Sequence, residues 1–424
     1  MSFRHCSIVV LVLMSCFFST LSFAATEVLQ GYSSSLIDQN PDKPAWINVC
    51  DIDGDGKKEI IISVFAGSSP MGAGYLSIYK MVNGKWNKAV VAGSEGIKFP
   101  NDPTFADVDE DGDLDIILPA GFLATAPSNS GALYWFENLG AALKWKRHDI
   151  VTRQKLFYHY VVYNDMNSDG KMDLLTVGEF KSAFGGSDAE VHLFKGLGGG
   201  KFQTTPEVIM GKSMGSLPSL CDIDKDGDLD IVSAQYFVSD ASAVWLENSG
   251  SGKWTKHVIE ERVGPSIQFS VIDNLCGDGA RYAVLSNHVN TSDDPTGPKE
   301  GVFLYPLPTD SEELKMPWSG KLISNGIKSR KSPAMGPQGA PGVYRWGDPD
   351  ADGDIDLVVH GDGDARAFLI EQTYPGIFET RVLATEVPQG GVAVDDVDGD
   401  GFEEIIVSSY EANKLLLIRK NRMN

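Results

Sequence analysis

The apolar positions of this chain fall in short runs of about four to six residues, rich in Ile, Val and Leu, separated by polar turns that carry glycine. IIISV from Ile60, IILP from Ile116, LLTV from Leu174, IVSA from Ile231, LVVH from Leu357 and IIVSS from Ile405 are the clearest. β-Branched runs of this length, bounded by turn residues, predict strands. Spacing suited to an amphipathic helix is almost absent, so the fold class is all-β.

Each run follows an acidic nonapeptide: DIDGDGKKE from Asp51, DVDEDGDLD from Asp107, DMNSDGKMD from Asp165, DIDKDGDLD from Asp222, DPDADGDID from Asp348 and DVDGDGFEE from Asp396. A seventh, broken copy lies at Asp273 to Asp278. Another strand-like stretch precedes the motif, as in WINVC before Asp51 and GVAVD before Asp396, so each motif is the turn of a β-hairpin. Between motifs lies a second strand pair: GYLSIYK with KWNKAVV, ALYWFEN with WKRHDIV, VHLFKG with KFQTTPEVI, AVWLEN with KWTKHVI, FLYPL with KLIS, and AFLIEQ with ETRVL. Seven repeats of four strands predict a seven-bladed β-propeller with four-stranded blades. After the last motif only KLLLIRK remains, one strand short. The N-terminal stretch around Glu27 to Ile37 is expected to supply that strand and close the last blade.

Carboxylates at positions 1, 3 and 5 of such a turn converge on a hard cation, with the position 7 carbonyl joining them. Position 6 is glycine in every intact copy, where the chain must turn with positive φ. A helical calcium hand would carry its last acid at position 12 and run into a helix. Here the last acid is at position 9 and a strand follows, so calcium held by a hairpin turn is the reading.

These repeats resemble the FG-GAP or VCBS repeat family, whose blades carry D-x-D-x-D-G-x-x-D between their first and second strands. The resemblance covers nearly the whole chain after the leader and implies about six calcium ions, mainly structural. It implies ligands Asp51, Asp53, Asp55 and Glu59 in blade one, and Asp107, Asp109, Asp111 and Asp115 in blade two. Blade three would use Asp165, Asn167, Asp169 and Asp173, and blade four Asp222, Asp224, Asp226 and Asp230. Blade six would use Asp348, Asp350, Asp352 and Asp356, and blade seven Asp396, Asp398, Asp400 and Glu404. In blade five Asp273, Leu275 and an extra residue before Asp278 remove two ligands, and no calcium is expected there. Family members include adhesion-receptor heads, fungal propeller lectins, polysaccharide lyases and an aldos-2-ulose dehydratase.

The motifs change the meaning of the net charge of −22, since 23 of the 58 Asp and Glu stand at their ligand positions. That acidity is metal-site chemistry, and the absence of a basic surface disfavours a nucleic-acid partner. Met1 to Ala24 has Arg4, an apolar core from Ile8 to Phe18, and Ser22 and Ala24 at the −3 and −1 positions, the pattern of a cleaved secretory signal. One propeller domain over 25–424 and a secreted protein, periplasmic in a bacterium, are expected, with no membrane span. Cys50, Cys221 and Cys276 then remain, an odd number that argues against a disulfide framework. Trp135, Trp145, Trp245 and Trp254 recur at matching positions and are read as packing between sheets. Asn290-Thr-Ser is a glycosylation sequon with meaning only in a eukaryotic source.

Function is sought on the face opposite the acidic turns, where Gly121 to Gly131, Lys181 to Ala189, Asn290 to Glu300 and Lys328 to Arg345 form long loops. Six residues beyond position 9, equivalent points around that face are Phe65, Gly121 with Phe122 beside it, Glu179, Tyr236, His288, Asp362 and Tyr410. Aromatic rings beside carboxylates and a histidine suit a carbohydrate or glycan, whose C–H faces stack and whose hydroxyls need partners. The alternative is a carbohydrate lyase or dehydratase. Its acid and base candidates are His159, His288 and His360, with Tyr158, Tyr160 and Tyr236 beside them. A third reading is an adhesion module with a protein receptor as partner. No nucleophile elbow, phosphate loop or zinc pattern is present.

Overall fold

A computed structural model describes residues 26–66, 73–121, 130–140, 142, 144–181, 187–215, 217–237, 240–250, 252–292, 295–332 and 336–422. Its strands form seven blades of four antiparallel strands, the first extended by the short strand Ile97–Lys98, and two small two-stranded ribbons, with one short helix, Ser311–Leu314, among the described residues. The sheets are the expected blades, and the first strands of neighbouring blades approach one another around the centre. Among the described residues no helix is long and apolar enough to cross a membrane. The expected leader, residues 1–24, lies outside the described residues.

Blade four shows why the apolar runs are continuous instead of alternating. In its second strand, Asp230–Ala234, Ile231 packs into the cluster shared with blade three, while Val232 and Ala234 pack into the cluster shared with blade five. A strand sandwiched between two neighbouring sheets buries both of its faces. The same holds at every blade boundary, including that between blades seven and one, where Ile406 and Leu417 meet Ile47 and Ile62. Trp245 is fully buried and its ring tilts against His257, and Trp135 stacks on His148 at 4.1 Å, so these tryptophans are packing residues.

The ring closes as expected. Tyr32–Asp38 pairs antiparallel with Lys414–Lys420 as the outer strand of blade seven, with Tyr32 opposite Lys420 and Leu36 opposite Leu416. The N-terminal chain also leans on blade six, where Leu29 N–H donates to Leu383 O at 2.9 Å.

Two expectations are corrected. In blade three the stretch KFQTTPEVI is not one strand: Lys201–Phe202 folds back on Gly196–Gly198, and Glu207–Gly211 is the outer strand. In blade five the motif starts one residue later than Asp273. Asn274 Oδ1 accepts the N–H of Gly279 at 2.7 Å, the same bond that Asp51 accepts from Gly56, and Asp278 accepts the N–H of Ala280. Counted from Asn274 there is no extra residue. Cys276 takes position 3, Asp278 position 5 and Tyr282 position 9, and Tyr282 OH donates to Asp278 at 2.6 Å. Buried Leu275 and Cys276 anchor this turn in the core.

Candidate functional site

The acidic turns share one backbone architecture. Asp51 accepts the N–H groups of Asp55 at 3.0 Å and Gly56 at 2.8 Å, and Asp107, Asp165, Asp348 and Asp396 repeat both bonds. Gly227 and Gly353, at position 6, have φ of 97°. Position 4 is left-handed as well, even where it is Glu110, Ser168, Lys225 or Ala351. The position 4 turn carried no sequence signal, because four different side chains tolerate it.

Position 9 does more than face a cation. Asp115 accepts from Val108 and Asn138, Asp173 from Met166 and Gly196, and Asp230 from Ile223 and Asn248, all through backbone N–H groups. Each of these buried carboxylates staples its own turn to the third strand of its blade.

The donor set fits a hard divalent cation. Asp51 with Asp53 and Glu59, Asp107 with Asp109 and Asp115, Asp222 with Asp224 and Asp226, Asp348 with Asp350 and Asp352, and Asp396 with Asp398 and Glu404 bring oxygens within 4.8 Å of one another. In blade three Asn167 interrupts the acids, and its amide donates to Asp173. Buried oxygens of Asp109, Asp222, Asp350 and Asp356 lack a hydrogen-bond partner. Burial, then neighbouring acids, push Asp356 up to about 8, and burial with Asp53 pushes Glu59 up to about 7. A divalent ion would relieve that crowding.

On the opposite face, three of the expected residues meet. The rings of Tyr236 and His288 are 5.2 Å apart, and His288 Nε2 is 3.4 Å from Asp362 Oδ2. His288 Nδ1 lies 2.7 Å from the carbonyl of Pro341, which sets it as the donor nitrogen and turns Nε2 toward Asp362. Burial raises the Asp362 carboxyl, with His288 opposing, and pushes the Tyr236 phenol up to about 12, with Asp362 and Glu179 adding to it.

Glu179 and His159 stand beside this group. Glu179 is fully buried, neither of its oxygens has a hydrogen-bond partner, and His159 Nδ1 is 3.5 Å away. Phe157 and Phe237 pack edge to face at 5.9 Å, and Phe237 meets Tyr236 at 4.6 Å, forming an aromatic wall between blades three and four. Across the ring, Phe65 packs on Tyr410 at 6.1 Å and on Phe99 at 5.3 Å, with the Lys43 ammonium 5.4 Å over Tyr410. Arg330 pairs with Glu411 there at 3.3 Å. Glu300 pins two of the long loops by accepting from Thr291 and Ser329. Phe122 lies outside the described residues.

Two catalytic candidates fall elsewhere. Tyr158 is fully buried in the core between blades two and three, its hydroxyl 3.2 Å from His192 Nδ1. His360 is fully buried too, and its Nδ1 accepts the N–H of Asp362. Burial holds His360 down at about 4, which keeps it neutral. Both belong to the scaffold under the face.

Sequence reasoning missed the group in the channel. Asp102, on the approach to blade two, accepts from Asn48 of blade one at 2.8 Å and from Arg345 of blade six at 3.2 Å. This contact spans non-adjacent blades, so no local pattern announces it. Burial raises the Asp102 carboxyl, opposed by Arg345.

The fold and its acidic turns define a seven-bladed β-propeller built from repeated hairpin-turn motifs. Residues 51–118 and 165–233 match the FG-GAP-like repeat. No curated protein matches the chain. Among solved structures, a Trichoderma reesei enzyme of Carbohydrate-Active Enzymes Family AA12 is 10% identical with a TM-score of 0.44, over 94% of this chain and 98% of that one. A Penicillium chrysogenum alpha-L-arabinanase complexed with arabinobiose is 12% identical, TM-score 0.43, over 94% and 99%. The V. cholerae biofilm matrix protein Bap1 is 11% identical, TM-score 0.41, over 91% and 89%.

Proposed function

We propose that this chain is an exported carbohydrate-binding propeller, with residues 1–24 as the leader and 25–424 as one binding unit. In this reading calcium ions in the acidic turns stiffen one face, and a glycan docks on the other. The observation that carries the reading is the group of Tyr236, His288 and Asp362 beside the Phe157 and Phe237 wall. It offers a ring surface for C–H stacking and polar atoms for hydroxyls within one side-chain length.

One observation favours a second reading, proton transfer on the bound sugar. His288 Nδ1 is held by the Pro341 carbonyl, which leaves Nε2 beside the Asp362 carboxylate and the Tyr236 ring as the candidate for proton transfer. The test is incubation of calcium-loaded protein with neutral glycans and acidic polysaccharides, reading binding and the 235 nm absorbance of unsaturated products together. Binding that Tyr236→Ala weakens by about tenfold or more supports the binding module. Growing absorbance lost in His288→Ala makes the face a lyase site, and no binding of any glycan overturns both readings.

A further inference from the structure

The six intact motifs are not equivalent, and two positions divide them in the same way. Position 7 is Asp113, Asp228 and Asp354 in blades two, four and six, against Lys57, Lys171 and Phe402 in blades one, three and seven. The residue facing position 9 from the third strand follows suit. One step beyond the pairs Ile116 with Phe136, Ile231 with Leu246 and Leu357 with Ile370, it is Glu137, Glu247 and Glu371. One step beyond Ile60 with Tyr79, Leu174 with Phe194 and Ile405 with Ile418, it is Lys80, Lys195 and Arg419. Position 9 does not follow this division: it is Asp in blades two, three, four and six and Glu in blades one and seven.

Two of these basic residues act on the turns. Lys80 Nζ bonds Asp53, lies 2.8 Å from Asp55 and 3.5 Å from Glu59. Arg419 reaches Asp398 at 2.7 Å and Glu404 at 3.1 Å, and Arg422 pairs with Asp400. Lys195 of blade three pairs instead with Glu207 of the outer strand, at 2.8 Å. In blades two, three and four no ion pair from a Lys or Arg to a turn carboxylate is found among the described residues, and in blade six the one contact is Lys420 at 3.5 Å from Asp350. The facing glutamates are held instead by fourth-strand cations, Glu137 by Lys146 and Glu371 by Arg381. Asp356 is fully buried, and its Oδ2, beside Asp350 and Asp352, has no hydrogen-bond partner.

We infer that blades two, four and six are the high-affinity calcium turns, that blades one and seven bind calcium weakly because they carry their own counter-cation, and that blade three binds it weakly because Asn167 replaces a carboxylate and its amide occupies Asp173. The inference rests on the calcium reading above and sharpens it from about six equal ions to three strong and three weak. A tethered ammonium or guanidinium satisfies the same oxygens that calcium needs, and an entering ion must displace it. Blades seven and one flank the ring closure, so the junction of the two chain ends is held by covalently tethered charges whatever the calcium level.

The test is calcium titration by calorimetry with metal analysis after dialysis at about 10 µM free calcium, within the range of sensor sites. Three retained ions are expected in the wild type. Lys80→Met, or Arg419→Met if the first variant melts early, should gain one retained ion through a rise in affinity of about tenfold or more. Asp113→Lys, which gives blade two the blade-one residue at position 7, should lose one. Six ions of equal affinity, or an unchanged count in Lys80→Met, overturns the two-class inference and leaves the calcium reading standing. No retained ion at any calcium concentration overturns both.

Discussion

At the scale of single residues, the acidic motif carries two jobs that its spelling does not separate. Asp51 and its counterparts at position 1 fold the turn by accepting backbone N–H groups, and position 9 staples the turn to the next hairpin. Asp230→Ala strands the buried N–H groups of Ile223 and Asn248 and is expected to cost about 2–4 kcal/mol. Because this staple needs no metal, the loss should appear in denaturant titrations with chelator present. A loss seen only with calcium would make Asp230 a ligand and nothing more. The buried histidine gives a pH signature. His360 stays neutral in the fold down to about 4, while in the unfolded chain it protonates near its ordinary value of about 6.5. Between those values the unfolded chain binds the extra proton, so stability falls as pH drops from about 6.5 to about 4. His360→Asn, which keeps an acceptor for the Asp362 N–H, should flatten that part of the profile at saturating calcium. An identical slope in the variant would show that His360 does not titrate there.

At the scale of elements, strands were legible wherever a run is buried on both sides, as in Glu59–Val64 or Asp230–Ala234. Outer strands were less so, because Lys85–Val90 and Glu207–Gly211 are largely exposed and face few neighbours that would select apolar residues. The blade-five turn was misread by one residue because Asn274 substitutes for an aspartate as acceptor, a swap that geometry tolerates and a motif search does not. The closing strand was legible only by counting, since YSSSLID has little strand patterning of its own. Its partner strand and the Leu29 contact supply the rest. Deleting residues 26–39 is expected to lower the melting temperature by more than about 5 °C, because blade seven then loses its outer strand. An unchanged melt would show that the ring closes without it.

At the scale of the whole molecule, the chain separates its chemistry onto two ends of the same strands. The acidic turns lie where first strands run into second strands, and the Tyr236, His288 and Asp362 group lies where the second strands end. The register of six residues beyond position 9 brought those three together, because the second strand of each blade starts at or beside position 9. It could not find Asp102 with Arg345, whose partners meet only once the ring is closed. The measurement that tests the account most directly is calorimetric melting in calcium and in excess chelator. An ion bound only by the native state at a hundred times its dissociation constant adds about 2.7 kcal/mol. Several such ions predict a fall of roughly 10 °C or more on chelation, reversed by calcium. Superimposable melting curves would contradict the claim that these turns are calcium sites holding the propeller together.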